Sequence, residues 1–265
     1  MVTSILAVVL VLGGLIFFHE LGHFLVARRL GMGVSVFSLG FGTRLFGITR
    51  GKTDYRVCAF PLGGYVQLVG ESPDAELPDG FTQEESFSRR PPWQRMLVVL
   101  AGPVFNFLLA WLIFWGLAYS QGVQELLPVI GQVTNSSAAQ EAGLIPGDRI
   151  VEIDGQPIAI WEDLVTRIES NTGAAMQVTI ARDRELVFLY VTPRLQEKRN
   201  LFGEVKIVPM MGIAPSGEFS SRELGFLDSA IQGGRQIREV SGLMIMGIVK
   251  LVERVIPWTD MGGVI

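Results

Sequence analysis

The sequence is poor in histidine, cysteine and charge. Its 265 residues include two histidines and one cysteine, and 18% are charged against 49% that are hydrophobic. The single cysteine, Cys58, excludes an intrachain disulfide and is expected to be a small buried group rather than a metal ligand. The net charge of −4 gives no basic surface for nucleic acid. Scarce charge and a mean hydropathy of +0.39 instead indicate membrane-spanning segments, so a lipid bilayer is an expected partner.

Both histidines lie in one short motif, His19-Glu20-Leu21-Gly22-His23. Side chains four residues apart share one face of a helix, so the two imidazoles can bind one zinc ion while Glu20 reaches a water on that ion. Histidines that only fill core positions would not be expected to flank a glutamate at this spacing. The motif therefore predicts a zinc site with His19 and His23 as ligands and Glu20 as the catalytic base.

Two long segments lack charged residues. The first leads directly into the motif, and its helical pattern continues beyond it, so residues 1–33 are predicted to form a transmembrane helix. A signal peptide is the alternative, but no basic segment precedes the apolar run and no small-residue cleavage site precedes His19. Residues 96–119 predict a second transmembrane helix, in which the amide of Asn106 needs a polar partner. A neighbouring helix or a direct role in the site would each provide one.

The segment between the two spans is predicted to carry a β region and a loop. Residues 34–70 alternate short apolar runs with glycine, which predicts a hairpin or small sheet, and residues 71–95 are a proline-rich loop. We expect the β region to line the metal site within the membrane, with a surface hairpin as the alternative. Its exposed edge could pair with an extended substrate. Arginines near both spans place this segment in the cytoplasm and everything after the second span on the opposite side. They are Arg28, Arg29, Arg89, Arg90 and Arg95.

The C-terminal half has the composition of a soluble α/β domain over residues 120–195. Helical and strand-like patterns alternate there, and residues 142–150 are similar to the signature Ala-Gly-Leu-x-Pro-Gly-Asp-x-Ile of PDZ domains, which bind extended chain ends. A spacer that filters what reaches the membrane is a compatible alternative. Residues 196–223 are predicted to be a linker, residues 224–256 an amphipathic helix at the membrane surface, and residues 257–265 a truncated end.

Taken together, these segments resemble the site-2 protease family of intramembrane zinc metalloproteases, especially the bacterial regulator-of-sigma-E type. The resemblance covers nearly the whole chain and rests on the zinc motif, on residues 37–42 and 61–66 of the β region, and on Gly102-Pro103-Val104-Phe105-Asn106. It implies cleavage of a transmembrane segment of a partner such as an anti-sigma factor or a signal-peptide remnant, in the bacterial inner membrane. It further implies that Asn106, Gly63 and Gly64 bind the substrate, with Asn106 holding the substrate or its oxyanion.

The resemblance implies one residue that the chain lacks. A catalytic zinc usually has three protein ligands, and in this family the third is an aspartate in a Leu-Asp-Gly motif on a later span. Leu227-Asp228-Ser229 departs from that motif, so the role is not assigned to Asp228. We therefore expect the sequence to be the N-terminal part of a longer protease; a natural truncation and a site completed by another chain are the alternatives.

The predicted fold class is an α-helical membrane domain with a membrane-associated β-hairpin or sheet, an inserted α/β PDZ domain and a C-terminal amphipathic helix. Two other functions fit parts of this pattern. A catalytically inactive membrane adaptor would use the PDZ domain to bind chain ends. A soluble zinc protease would need a third ligand in its own domain, and the absence of a third histidine counts against it.

Overall fold

In a computed structural model of the chain, the described residues are 2–72, 76–200 and 203–253. The chain divides into two units, Met1–Phe114 and Trp115–Ile265. The predicted end at residues 257–265, and residues 254–256 of the predicted amphipathic helix, lie outside the described residues. Each unit has its own buried core.

Two apolar helices dominate the first unit. α1 (Val2–Arg29) contains the zinc motif, and α2 (Pro92–Gln121) continues beyond this unit. Both are long and apolar enough to cross a membrane, over Leu6–Arg29 and Pro92–Gln121. This confirms the two predicted apolar helices, although α2 begins at Pro92 rather than at residue 96.

The two helices approach closely at Gly22. A Cβ atom added to this residue would lie 2.4 Å from the carbonyl oxygen of Ala101 and 3.0 Å from the ring of Phe105. Any larger residue would have to push the helices apart, because close-packed backbones leave no room for a side chain. Gly22 lies between Glu20 and His23, so it brings the zinc motif directly against α2.

The β region is a long, bent hairpin. β1 (Val34–Arg50) and β2 (Thr53–Leu68) are joined at Gly51 and Lys52. Residues 36–39 pair both with residues 54–57 and with residues 64–67, so the first half of β1 lies between the two halves of β2. The chain therefore forms a compact sheet from only two strands.

The second half of β2 runs along α1. A Cβ atom added to Gly13 would lie 3.1 Å from the carbonyl oxygen of Pro61, and one added to Gly63 would lie 3.3 Å from Ile16 Cδ1. The buried core of this unit joins helix and sheet. It contains Phe24, Ala27, Met32, Val34 and Val98.

Within the predicted loop, described residues 76–91 contain a short 3₁₀ turn at Gln83–Glu85 and pack on the hairpin. Lys52 at the hairpin turn forms an ion pair with Glu85 at 2.8 Å. The hydrogen bond from Lys52, followed by one from the backbone of Thr82, holds the pKa of the Glu85 carboxyl below its usual value. The loop is thus tied to the β region outside the apolar helices.

Beyond the end of α2, the described residues of the second unit form short strands and three further helices. The strands are β3 (Val123–Leu126), β4 (Ile130–Val133), β5 (Arg149–Ile153), β6 (Gln156–Pro157), β7 (Met176–Arg182), β8 (Glu185–Val191), β9 (Arg194–Arg199), β10 (Val205–Met210), β11 (Ile213–Pro215) and β12 (Phe219–Arg222), and the helices are α3 (Ala138–Glu141), α4 (Trp161–Glu169) and α5 (Phe226–Val252). Four strands form a sheet in the order β6-β5-β7-β8. α4 lays Leu164 and Ile168 on a core that includes Ile150 and Val178.

The prediction of a linker over residues 196–223 is wrong. This segment holds most of β9 and all of β10, β11 and β12. β11 pairs with β4 and β12 pairs with β3, so the segment completes the second unit. Glycine here marks turns between successive strands rather than an extended linker, as at Gly212 and Gly217, whose φ angles are +82° and +83°.

An ion pair between buried Asp148 and partly exposed Arg182 fixes the turn that precedes β5. Arg182 donates two hydrogen bonds of 2.7 Å, one to each carboxylate oxygen of Asp148, and Ile145 N–H donates a third at 2.9 Å. Asp148 is buried, and its hydrogen bonds with the guanidinium raise the pKa of Arg182. The aspartate of the PDZ-like signature therefore serves the fold by anchoring its own turn to β7.

The predicted amphipathic helix is present as α5. Its first residue packs on the end of α2: Trp115 Nε1 donates to the carbonyl of Phe226 at 3.0 Å, and the two rings lie 4.7 Å apart. At the other end, Lys250 forms an ion pair with Glu204 at 2.9 Å. Between these anchors α5 exposes many apolar side chains, such as Leu243 and Met244. Its position at a membrane surface stays a prediction.

Candidate metal centre

The structure brings the side chains of the zinc motif together on one face of α1. His19, Glu20 and His23 each offer a ligand atom, and these atoms all lie within 4.8 Å of one another. The imidazole centroids are 4.8 Å apart and the rings are nearly perpendicular, at 83°. All three side chains are partly buried. Such a group can share one metal ion and a water.

His23 is held by the backbone of α2. Its Nδ1 lies 2.7 Å from the carbonyl oxygen of Val98. A carbonyl can only accept a hydrogen bond, so the hydrogen of a neutral His23 is on Nδ1 and the lone pair is on Nε2. This is the arrangement in which metal-binding histidines are usually found, with one nitrogen donating to a neighbour and the other facing the ion.

The two Nε2 atoms converge on Gly102 of α2. A Cβ atom added there would lie 2.5 Å from His23 Nε2 and 2.6 Å from His19 Nε2. Both Nε2 atoms therefore face the space next to Gly102. Convergence of two nitrogens on a space without a side chain is what a zinc site requires, and on this observation the residues fit the ion.

Glu20 is oriented by the β region. Its Oε2 accepts a hydrogen bond of 3.0 Å from the backbone N–H of Val66 in β2. This contact places β2 beside the zinc motif, while the lining of the site by the β region within the membrane stays a prediction. The hydrogen bond also fixes the position of the carboxylate through Oε2 and leaves Oε1 available to accept a proton.

Asn106 lies one turn beyond Gly102 on α2 and faces the same site. Its Nδ2 is 3.3 Å from His19 Nδ1, and its Oδ1 is buried without a hydrogen-bond partner. The structure thus places Asn106 beside a ligand of the predicted zinc ion. Its predicted contact with substrate stays a prediction.

The two glycines predicted to bind substrate occupy crowded positions in β2. Gly63 has a φ of +124°, and a Cβ atom there would lie 2.6 Å from the ring of Phe41. A Cβ atom at Gly64 would lie 2.4 Å from the carbonyl oxygen of Ser38 in β1. Packing of the hairpin therefore accounts for both glycines, and their role toward substrate stays a prediction.

Other candidate ligands lie elsewhere. Cys58 is buried, with its Sγ 3.3 Å from the hydroxyl of Ser38, and Asp228 is in the first turn of α5. Within residues 2–72, 76–200 and 203–253, no further histidine, cysteine, aspartate or glutamate joins the group of His19, Glu20 and His23.

Sequence reasoning did not find two contributors from α2. Val98 acts through its backbone carbonyl, and no sequence signal reveals such a role. Gly102 was noted only as part of a motif. Gly102 lies four residues before Asn106, so the two residues share one face of the helix. A small residue on the same face as a polar residue of an apolar span is the sequence signal for this role of Gly102.

Comparison with known proteins identifies the family. Residues 7–265 match the family model described as peptidase family M50. A protein of Campylobacter jejuni named as a zinc metalloprotease is 36% identical over 98% of this chain and 69% of its own length. The regulator of sigma-W protease RasP of Bacillus subtilis is 27% identical over 95% of this chain and 75% of its own length.

The chain spans about two thirds of the length of the first relatives that it matches. Among solved structures, the PDZ domain of an SdrC-like protein from Listeria monocytogenes is similar, with a TM-score of 0.27 and 19% identity over 33% of this chain and 84% of that domain. The chain belongs to peptidase family M50, the site-2 protease family of zinc metalloproteases.

Proposed function

We propose that the protein is an intramembrane zinc endopeptidase that cuts a transmembrane segment of another protein. One observation carries the proposal: two imidazoles and a glutamate lie in an apolar helix, and both Nε2 atoms face Gly102 of a second apolar helix. Both helices expose large apolar side chains, including Leu10 and Phe107, which are 71% and 55% exposed. Such surfaces favour lipid over water, which supports a catalytic centre at membrane depth.

In this proposal His19 and His23 hold zinc through Nε2, and Glu20 is the general base. A zinc ion at such a site supplies a water of lowered pKa and polarises a carbonyl. Glu20 accepts a proton from the attacking water and returns it to the leaving amine nitrogen of the substrate. The hydrogen bond from Val66 N–H keeps one oxygen of Glu20 in place during this exchange.

A third protein ligand completes the site from outside the described residues. Catalytic zinc sites usually have three protein ligands and one open position. Among the described residues the group contains two histidines and the proposed base. We propose an aspartate on a further span of the full-length protein as the third ligand, as the family resemblance implies.

The β hairpin is proposed to enter the membrane and to guide the substrate. Its outer half exposes apolar side chains, among them Phe46 at 66% and Phe60 at 64%. Exposed apolar strands are unfavourable in water but are tolerated beside a membrane helix that supports them. A substrate strand could pair with the edge of β2 near Gly63 and Gly64, while Asn106 contacts the scissile segment.

We place the protein in the bacterial inner membrane with its second unit on the extracytoplasmic side. Arg28 and Arg29 end α1, and Arg89, Arg90 and Arg95 flank the start of α2. By the positive-inside tendency these arginines keep the intervening segment in the cytoplasm.

RasP is named as a regulator of sigma-W. A membrane-bound anti-sigma factor is accordingly the proposed class of substrate, with signal-peptide remnants as another source.

A groove in the second unit favours one other function, that of an adaptor. It has a volume of about 230 Å³ and lies between α4 and residues 209–215, which include β11. Trp161, Leu164 and Ile168 line one wall. Among the described strands β11 pairs only with β4, so its other edge can accept an extended chain. Binding of chain ends in this PDZ-like groove would serve a protease as a docking site or an inactive adaptor as its main activity.

Cleavage in a reconstituted membrane distinguishes these functions. We expect the full-length protein in liposomes to cut a labelled single-span substrate within its hydrophobic segment, and a zinc chelator to stop the reaction. Mass spectrometry of the products locates the bond. The adaptor instead predicts binding of the substrate's chain end with no cut at any zinc concentration, and cuts confined to water-exposed segments would contradict an intramembrane site.

A further inference from the structure

One face of α2 contacts both histidines of the zinc motif. Val98, Gly102 and Asn106 are spaced by four residues and therefore lie above one another on the helix. Val98 O contacts His23, Gly102 faces both Nε2 atoms, and Asn106 contacts His19. The two histidines are thus each contacted at Nδ1 by a polar group of the same helix face.

The orientation of the Asn106 amide decides which nitrogen of His19 is free. With Nδ2 facing His19 Nδ1 at 3.3 Å, the amide N–H donates and Nδ1 must accept. The hydrogen of a neutral His19 would then be on Nε2, the atom that faces Gly102 and the other histidine. A protonated Nε2 cannot bind a metal ion, so this orientation is incompatible with the proposed site.

Rotation of the amide by half a turn removes the conflict. Oδ1, which is buried without a partner in the present orientation, would then accept a hydrogen bond from His19 Nδ1–H. In the present orientation Oδ1 has no partner, so hydrogen bonding gives no reason to prefer it. Metal binding favours the rotated amide, because only that orientation leaves the lone pair of His19 on Nε2.

We infer that Asn106 is a positioning residue for His19: its side-chain oxygen accepts a hydrogen bond from Nδ1–H and holds the unprotonated Nε2 toward the ion. Val98 does the same for His23 through its backbone carbonyl. The inference rests on the proposed zinc chemistry and deepens it. In the rotated orientation Nδ2 no longer contacts His19, so its N–H groups are released from that ring for the predicted contact with substrate.

The tautomers of the two histidines test this inference directly. The imidazoles of His19 and His23 contribute four ring-nitrogen signals to the spectrum of the ¹⁵N-labelled protein. The signals lost in His19→Gln are those of His19. In zinc-free full-length chain at a pH where both rings are neutral, we expect both histidines to carry hydrogen on Nδ1, with His23→Gln assigning the signals. In Asn106→Leu, His19 should shift toward the Nε2–H form that free imidazole side chains prefer, while His23 stays unchanged because Val98 O is a backbone group.

Zinc affinity gives the second readout. By competition with a chelator, Asn106→Leu should bind zinc about 10–100-fold more weakly than wild type, the usual effect of losing a partner behind a ligand. Asn106→Asp should retain affinity within about threefold, because a carboxylate oxygen also accepts from Nδ1–H. Circular dichroism and thermal unfolding without zinc check that each variant is folded.

Three results would overturn the inference. They are an Nε2–H tautomer for His19 in the wild-type chain, wild-type zinc affinity in Asn106→Leu, and an affinity in Asn106→Asp as low as that in Asn106→Leu, which would assign the role to the amide nitrogen. None of these measurements requires proteolysis. A protein that shows the expected tautomers but cuts no substrate would therefore contradict the proposed protease activity and leave the role of Asn106 intact.

Discussion

Replacement of Glu20 by glutamine is expected to reduce proteolysis by about 10²–10⁴-fold, the usual contribution of a general base, while zinc stays bound. Glutamine has nearly the same size, and its carbonyl oxygen can still accept the hydrogen bond from Val66 N–H. It cannot take a proton from water. The variant therefore separates the role of Glu20 in the reaction from its contact with β2.

Initial cleavage rates and zinc content measured on the same preparation check this expectation. Glu84→Gln is the matched control, because Glu84 is exposed in the loop between the helices and lies outside the metal centre. Its cleavage rate should equal that of wild type. A Glu20→Gln protein that holds zinc and cuts at the wild-type rate would refute the assignment of Glu20 as the base.

Replacement of Gly102 by alanine is expected to weaken zinc binding by about 100-fold or more. The added Cβ would lie 2.5 Å from His23 Nε2 and 2.6 Å from His19 Nε2, closer than atoms in real structures approach. The imidazoles must move away or α2 must shift, and either change removes both ligand nitrogens from their common position. Loss of a single supporting contact already costs about 10–100-fold in affinity, so displacement of both ligands should cost more.

Gly116→Ala is the matched control for this substitution. Gly116 is in the same helix, and a Cβ atom there would meet nothing within 4 Å. Zinc affinity by chelator competition should be unchanged in Gly116→Ala and strongly reduced in Gly102→Ala. Equal affinities in the two variants would show that Gly102 does not border the ion.

The sequence predicts the zinc motif well because all of its chemistry lies within five consecutive residues of one helix. His19, Glu20 and His23 need only helical periodicity to meet on one face. The two apolar helices follow from uncharged length in the same way. These features depend on local sequence, and the structure contains them.

Contributions that depend on tertiary contact are not predictable in this way. The carbonyl of Val98 and the space at Gly102 lie beside the histidines only because α2 packs against α1 at Gly22. The prediction of a linker over residues 196–223 fails for a related reason: β11 and β12 are short, and their partners β4 and β3 lie about 80 to 100 residues earlier in the chain. Turn residues such as Gly212 and Gly217 therefore dominate the local pattern there.

The ion pair of Asp148 and Arg182 shows the same limit in the second unit. The turn that contains Asp148 is visible in the sequence, but its partner is on β7, 34 residues later. Similarity to a PDZ signature locates the turn but does not explain why an aspartate occupies this position. The structure supplies the cause, because both oxygens of a buried carboxylate are bound by one guanidinium.

Zinc K-edge X-ray absorption of the full-length protein reports the ligands of the proposed ion. We expect two imidazole nitrogens at about 2.0–2.1 Å from zinc together with oxygen ligands and no sulfur. In a protein carrying both His19→Ala and His23→Ala, the zinc signal should fall to background. A sulfur ligand at about 2.3 Å, or zinc with unchanged imidazole scattering in that double variant, would contradict a metal centre built on His19 and His23.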